Sequence, residues 1–204
     1  MPTILILTGP QGSGNHLYSK IFSQHPEVHG WKDLNNTYWI GHDKEPFAQC
    51  WHDPQLLKEF NWTQSKYYVT SISCPYVYYG NTVEPNYTTF VKELQNLGID
   101  IKIAIIGRDQ NILEYQQTRV RRNVSLQKFI NNLDILLQFD PIFISQELLY
   151  LYKEHYVQSL AEQLNFPISI DVGEILKEDA NKKYFTPVES HWLDEEVKNA
   201  SKTI

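Results

Sequence analysis

The segment from Thr3 to Gly14 constrains this chain more than any other. Thr3 to Thr8 reads Thr-Ile-Leu-Ile-Leu-Thr, an apolar run without polar alternation. A strand wetted on one face alternates. A continuous run predicts a strand covered on both faces, the central strand of a parallel sheet. Residues 9–14 then bring in three glycines. Leu17, Ile21 and Phe22 recur at helical spacing until Pro26 stops the helix near Gln24. The order is strand, glycine loop, helix.

The rest of the chain repeats that alternation. Ile101 to Gly107 (Ile-Lys-Ile-Ala-Ile-Ile-Gly) predicts a second deeply buried strand. Tyr67 to Ser73 has strand composition and is limited by Pro75, and Ile142 to Ser145 predicts a further short strand. Helices are expected over 86–97, where Phe90, Leu94 and Leu97 share a face and Gly98 follows, and over 111–122, 125–137 and 146–164. Strands alternating with helices argue for one α/β domain over residues 1–204, a central parallel sheet with helices on both faces and right-handed crossovers. Residues 29–66 lack periodicity and are expected to form an irregular insertion, with one short helix near 54–60. Residues 171–204 read as a charged C-terminal tail with short helices near Ile175 and Leu193.

Composition narrows the partners. With 24 acids against 18 bases the formal charge is −6, which argues against nonspecific nucleic-acid binding. No apolar run approaches the roughly 20 residues that span a bilayer, and Met1-Pro2-Thr3 has neither a basic stretch nor a cleavage site. A cytoplasmic location and no membrane partner are therefore expected. The two cysteines, Cys50 and Cys74, cannot build a disulfide framework and fit a reducing compartment. All four arginines, Arg108, Arg119, Arg121 and Arg122, fall in one short window, whereas the lysines are scattered. Arginine's planar fork suits phosphate and sulfate oxygens, so a small anionic ligand is a candidate partner.

The loop Gly9-Pro10-Gln11-Gly12-Ser13-Gly14-Asn15-His16 carries the chemistry. Glycines let successive N–H groups turn inward, and the helix N-terminus adds partial positive charge, so together they cradle an anion. The spacing resembles G-x-x-x-x-G-K-[ST], with Gly9 and Gly14 in place. Asn15 stands at the lysine position and His16 at the Ser/Thr position. Those residues serve the terminal phosphates and Mg²⁺ in NTPases, so ordinary ATP-dependent phosphoryl transfer is disfavoured. The competing reading is a glycine turn of the kind any strand-to-helix connection can use.

The same residues, followed by His25-Pro26-Glu27-Val28, resemble the start of the P-loop sulfotransferases. In that family the loop reads basic-Ser-Gly-Thr-Thr/Ser, with a His-Pro-x-Val/Ile turn after the helix. Ser13-Gly14 falls on the family's Ser-Gly, Gly12 replaces its basic residue, and Asn15 and His16 replace its Thr residues. The resemblance implies a three-layer P-loop NTPase-like fold and binding of the 5′ end of 3′-phosphoadenosine 5′-phosphosulfate (PAPS). Gly9, Gln11, Gly12, Ser13, Gly14, Asn15 and His16 would hold that end. A second family motif begins with an arginine after a buried strand and has a serine about eight positions on. Arg108 falls on the arginine and Gln116 on the serine, which implies the 3′-phosphate site. A strand-end ion pair from Arg108 to Asp109 or Glu114 is the alternative. For Arg119, Arg121 and Arg122 the plain reading is a solvated helix end. Lys177, Lys182 and Lys183 stand where the family has a late basic loop, with a solvated lysine pair as the alternative. The Glu-x-Leu pattern at Glu147 and the following helix are similar at the level of architecture.

The implied reaction moves a sulfuryl group from PAPS to a hydroxyl or amine of a small-molecule or glycan acceptor and leaves adenosine 3′,5′-bisphosphate, with no metal. Family bases are a Glu or a His. Asp33, with Lys32 as its electrostatic partner, occupies the neighbourhood of the Glu-type base, and a turn-capping carboxylate is the plain alternative. Ser71 and Ser73, before Cys74-Pro75, offer no base at the other position. His42-Asp43 and His52-Asp53 match no metal spacing and read as turn formers. Trp31, Trp39, Trp51 and Trp62 either line an acceptor pocket or pack an irregular lobe. Two other readings remain: a nucleotide kinase-like enzyme without its loop lysine, and a non-catalytic nucleotide-binding protein, which the glycine at position 12 favours.

Overall fold

The computed structural model describes residues 1–31, 41–169, 171–177, 181–182, 184 and 194–195. The apolar run at the N-terminus forms β1 (Thr3–Pro10), buried along its whole length. It continues into α1 (Asn15–Ser23) and the two-residue β2 (Val28–His29). A 3-10 turn at His42–Lys44, α2 (Ala48–His52) and a second 3-10 turn at Pro54–Lys58 lead to β3 (Tyr67–Cys74). A hairpin of β4 (Tyr76–Tyr78) and β5 (Asn81–Val83) precedes α3 (Tyr87–Asn96). The chain then runs β6 (Asp100–Gly107), α4 (Gln110–Arg121), α5 (Leu126–Leu137), β7 (Ile142–Ser145) and α6 (Gln146–Leu164). Among the described residues no helix is long and apolar enough to cross a membrane.

Five strands form one parallel sheet in the order β2-β3-β1-β6-β7. β1 pairs with β3 from Thr3↔Tyr67 to Pro10↔Cys74 and with β6 from Thr3↔Asp100 to Thr8↔Ile105. After β1 the chain fills one side of the sheet, and after β3 it crosses to the other. The reversal falls at the C-terminal end of β1, where open parallel sheets place their ligands.

Alternate side chains of β1 explain the three layers. Leu5 and Leu7 join Tyr18, Ile21 and Phe22 of α1 and Leu149, Val157 and Leu160 of α6 on one face. Ile4 and Ile6 face the other way, toward Phe90 and Leu94 of α3, Phe129 and Leu136 of α5, and Trp51 of α2. The period-2 strand thus feeds two helical layers, as the unbroken apolar run of β1 requires.

Residues 41–62, expected as an irregular lobe, are the aromatic part of that second layer. Trp51 stacks on Phe90 at 3.7 Å between ring centroids, and Phe47, Phe60, Trp62 and Tyr68 pack as one group. Trp51 and Trp62 therefore serve the core. The hairpin β4–β5 was not anticipated. Its turn places Tyr79 at φ 45° beside Gly80 at φ 82°, a left-handed pair of the type I′ kind. Near Ile175 the chain forms turns rather than a helix.

Candidate functional site

The loop after β1 is shaped by its glycines. Gly12 has φ +91° and Gly14 φ +112°, values that side chains rarely adopt. A Cβ at Gly12 would lie 3.0 Å from Gln116 Oε1, and one at Gly14 would run into Gln146 Oε1. The basic residue that the sulfotransferase resemblance leads one to expect at position 12 would therefore meet a disfavoured backbone angle and require the Gln116 carboxamide to shift. The expected cradle residues come together as follows. Gly9 pairs with Ser73 near the end of the β1–β3 ladder. Gly14 is the N-cap of α1, and no side chain caps that helix. Its first N–H groups, at Asn15, His16 and Leu17, have no carbonyl one turn earlier within the helix. α3, α4 and α6 carry capping side chains, from Asn86, Asp109 and Ser145, whereas α2 and α5, like α1, have none.

Buried polar atoms surround this helix end. Ser13 is fully buried, and its Oγ has no hydrogen-bond partner. Asn15, 4 % exposed, donates from Nδ2 to Ser73 Oγ at 2.8 Å, while its Oδ1 is unpartnered. Gln146, 2 % exposed, leaves Oε1 unpartnered beside Gly14. Buried polar atoms are nearly always paired in folded proteins, and each exception calls for a reason. The His16 ring lies 4.9 Å from that of Trp31.

Arg108 ends the strand next to the loop. Its Nη1 donates to the Gly12 carbonyl oxygen and to Gln116 Oε1, both at 2.5 Å, and its Nε donates to Asn181 Oδ1 at 2.9 Å. The structure thus brings Arg108, Gln116 and the glycine loop into one cluster. Asp109 caps α4, accepting from the Ile112 N–H at 2.9 Å. Tyr184 joins the arginines: its ring lies 5.5 Å from the Arg108 guanidinium and 5.3 Å from that of Arg119, and its hydroxyl accepts from Arg119 Nη2 at 2.9 Å. Arg121 and Arg122 are exposed at the end of α4. Lys177 is taken up by Glu174 at the surface, Lys182 is exposed, and Lys183 lies outside the described residues.

Gln11 is turned the other way. Its carbonyl oxygen accepts from Gln117 Nε2 at 2.7 Å, and its Oε1 accepts from Ser125 Oγ at 2.9 Å. It fastens the loop to the α4–α5 junction. Lys32 and Asp33, expected as the catalytic pair, and Trp39 lie outside the described residues. A different carboxylate emerges. Glu45 is buried at 6 % exposure and accepts from Ser71 Oγ at 2.8 Å. Ser71 and Ser73 point to the same face of β3, and Ser73 holds Asn15 of the loop. Glu45 also lines an open cavity of about 410 Å³ with Asp43, Gln49, Leu56 and Phe60. Sequence reasoning missed Glu45 because nothing in the spacing of residues 41–47 marks it. Two serines facing one side of a buried strand are the available signal.

Other candidates resolve as structure. Asp53 caps the 3-10 turn at Pro54 by accepting from the Gln55 N–H at 3.1 Å, and His52 stacks on Tyr78 at 4.6 Å. Among the described residues no group of three or more His, Cys, Asp or Glu is placed to hold a metal ion. Burial pushes the Cys74 thiol up to about 12 and the Cys50 thiol to about 11, so neither forms a thiolate near neutrality. Comparison of the chain with protein-family models, with curated proteins and with solved structures finds no match in any of the three.

Proposed function

We propose that the chain binds a phosphosulfate nucleotide at the loop after β1 and is a sulfotransferase, moving a sulfuryl group from PAPS to a hydroxyl or amine of a small-molecule or glycan acceptor. One observation carries the reading. The N-terminus of α1 has no side-chain cap, stands at the end of the central parallel strand, and is ringed by buried polar atoms without partners. Backbone N–H groups there suit anionic oxygens and need no metal. Residues 12–16 would hold the phosphosulfate, and Arg108 with Gln116 would take a second anionic group beside it. On the acceptor side, Glu45 is the buried carboxylate suited to take the proton released as the acceptor oxygen or nitrogen bonds to sulfur. The bond that breaks joins sulfur to the bridging phosphate oxygen, and adenosine 3′,5′-bisphosphate leaves.

The test is sulfation of an acceptor panel with radiolabelled PAPS in metal-free buffer. Labelled product is expected, and Glu45→Gln should lower turnover by about 100-fold, within the range for a lost general base, while leaving nucleotide affinity unchanged. Turnover of ATP that requires Mg²⁺ would instead establish the kinase-like alternative. The glycine imposed at position 12 favours one further reading, a nucleotide-binding protein without catalysis. It predicts bisphosphate binding with no product across the panel.

A further inference from the structure

We propose that Gln146 is a ligand-binding residue of this loop, and that with Asn15 it supplies neutral N–H donors where the sulfotransferase resemblance has a basic side chain. The proposal rests on reading the loop as an anion site. Gln146 is the first residue of α6, directly after β7, so the parallel sheet delivers it to the same edge as the glycine loop. A Cβ at Gly14 would lie 2.9 Å from Gln146 Cδ and 3.4 Å from its Nε2, so the carboxamide sits over the N-cap of α1. The side chain is 2 % exposed, and its Oε1 has no partner.

A carboxamide that turns over about its last torsion exchanges oxygen for NH₂ at nearly the same positions. Gln146 gives up no hydrogen bond at Oε1 when it does so. Asn15 can turn over as well, because Ser73 Oγ, which accepts from Nδ2, can equally donate to Oδ1. Both side chains then direct N–H groups at an anion seated on the first turn of α1. The ligand chemistry is a phosphoryl or sulfuryl oxygen. Two carboxamides and the backbone N–H groups bind it without a cation on the loop itself.

The experiment titrates the full chain and Gln146 variants with inorganic pyrophosphate and with adenosine 3′,5′-bisphosphate in metal-free buffer. Gln146→Ala is expected to weaken both probes about tenfold, the loss of one hydrogen bond to a charged group. Gln146→Glu, which sets a carboxylate against the anion, is expected to abolish binding. Gln146→Leu keeps the volume and removes the unpartnered acceptor, so without ligand it should melt no lower than the parent chain. Unchanged affinity in Gln146→Ala, or a large fall in melting temperature for Gln146→Leu, would overturn the proposal. Pyrophosphate binding that depends on Gln146, without bisphosphate binding, would uphold the residue and refute the PAPS reading. Bisphosphate binding that ignores Gln146 would do the reverse. If the parent chain binds neither probe, both fail.

Discussion

Gln117 is fully buried, and its carboxamide spans two segments of the chain. It donates to the Gln11 carbonyl oxygen at 2.7 Å and accepts from the Ser125 N–H at 2.8 Å. Replacing it with leucine would leave both of those groups buried without a partner. Each such group costs about 1–3 kcal/mol, so Gln117→Leu should destabilise the fold by about 2–6 kcal/mol, read from denaturant unfolding. The loop's shape depends on such uncharged contacts, whereas Arg108 grips it from the side. Gly14→Ala tests that shape directly. The backbone at φ +112° and the Gln146 carboxamide both oppose a methyl group. The variant should lose about 1–3 kcal/mol, the scale of a residue forced into a disfavoured conformation, and lose anion binding along with it. The sequence disclosed the glycine loop and that Arg108 and Gln116 belong beside it. It hid the role of Gln11, since a glutamine inside a cradle reads as a ligand until its partners at Ser125 and Gln117 are visible. Gln146 was hidden for another reason. It has no motif of its own, only a place at the end of a parallel strand.

The elements that were legible share one property: their signals are local. β1 is an unbroken apolar run, β6 from Ile101 on is apolar apart from Lys102, and α6 begins and ends at the residues its pattern predicts. Caps sharpen the starts, as Asn86 does for α3 and Asp109 for α4. Asp109→Ala should lower stability by about 1 kcal/mol, the usual worth of such a cap, and should also loosen the strand end that carries Arg108. A thermal melt paired with anion affinity would show both effects. Residues 41–62 were not legible because their order comes from contacts distant in sequence. Trp51 packs on Phe90 and donates from its indole nitrogen to Thr70 Oγ1 at 3.0 Å. Removing that side chain as Trp51→Ala should cost about 3–5 kcal/mol, measured by chemical denaturation. A solvated loop tryptophan would cost far less. The β4–β5 hairpin was concealed by its turn, because Tyr79 occupies a left-handed position that asparagine or glycine normally marks.

Across the whole molecule, topology reconciles acidity with the proposed anion site. The formal charge of −6 repels polyanions at long range, while the sheet gathers one helix N-terminus and the Arg108 cluster at the end of β1. Burial also sets the pH response. The thiols of Cys50 and Cys74, ordinarily near 9, are raised to about 11 and about 12, and burial raises the hydroxyls of Tyr18 and Tyr87 well above their usual range. The folded chain therefore keeps protons that the unfolded chain releases. Stability should be fully present below about pH 9, fall as pH rises beyond it, and continue to fall through pH 11–12. Circular dichroism during alkaline titration should show this loss, and a flat response to pH 11 would contradict it. Calorimetry of the full chain with adenosine 3′,5′-bisphosphate in the presence of a chelator tests the loop as an anion site. One-to-one binding without metal is expected, at least tenfold tighter than 5′-AMP because of the second anionic group beside Arg108. Absence of binding would contradict the anion site.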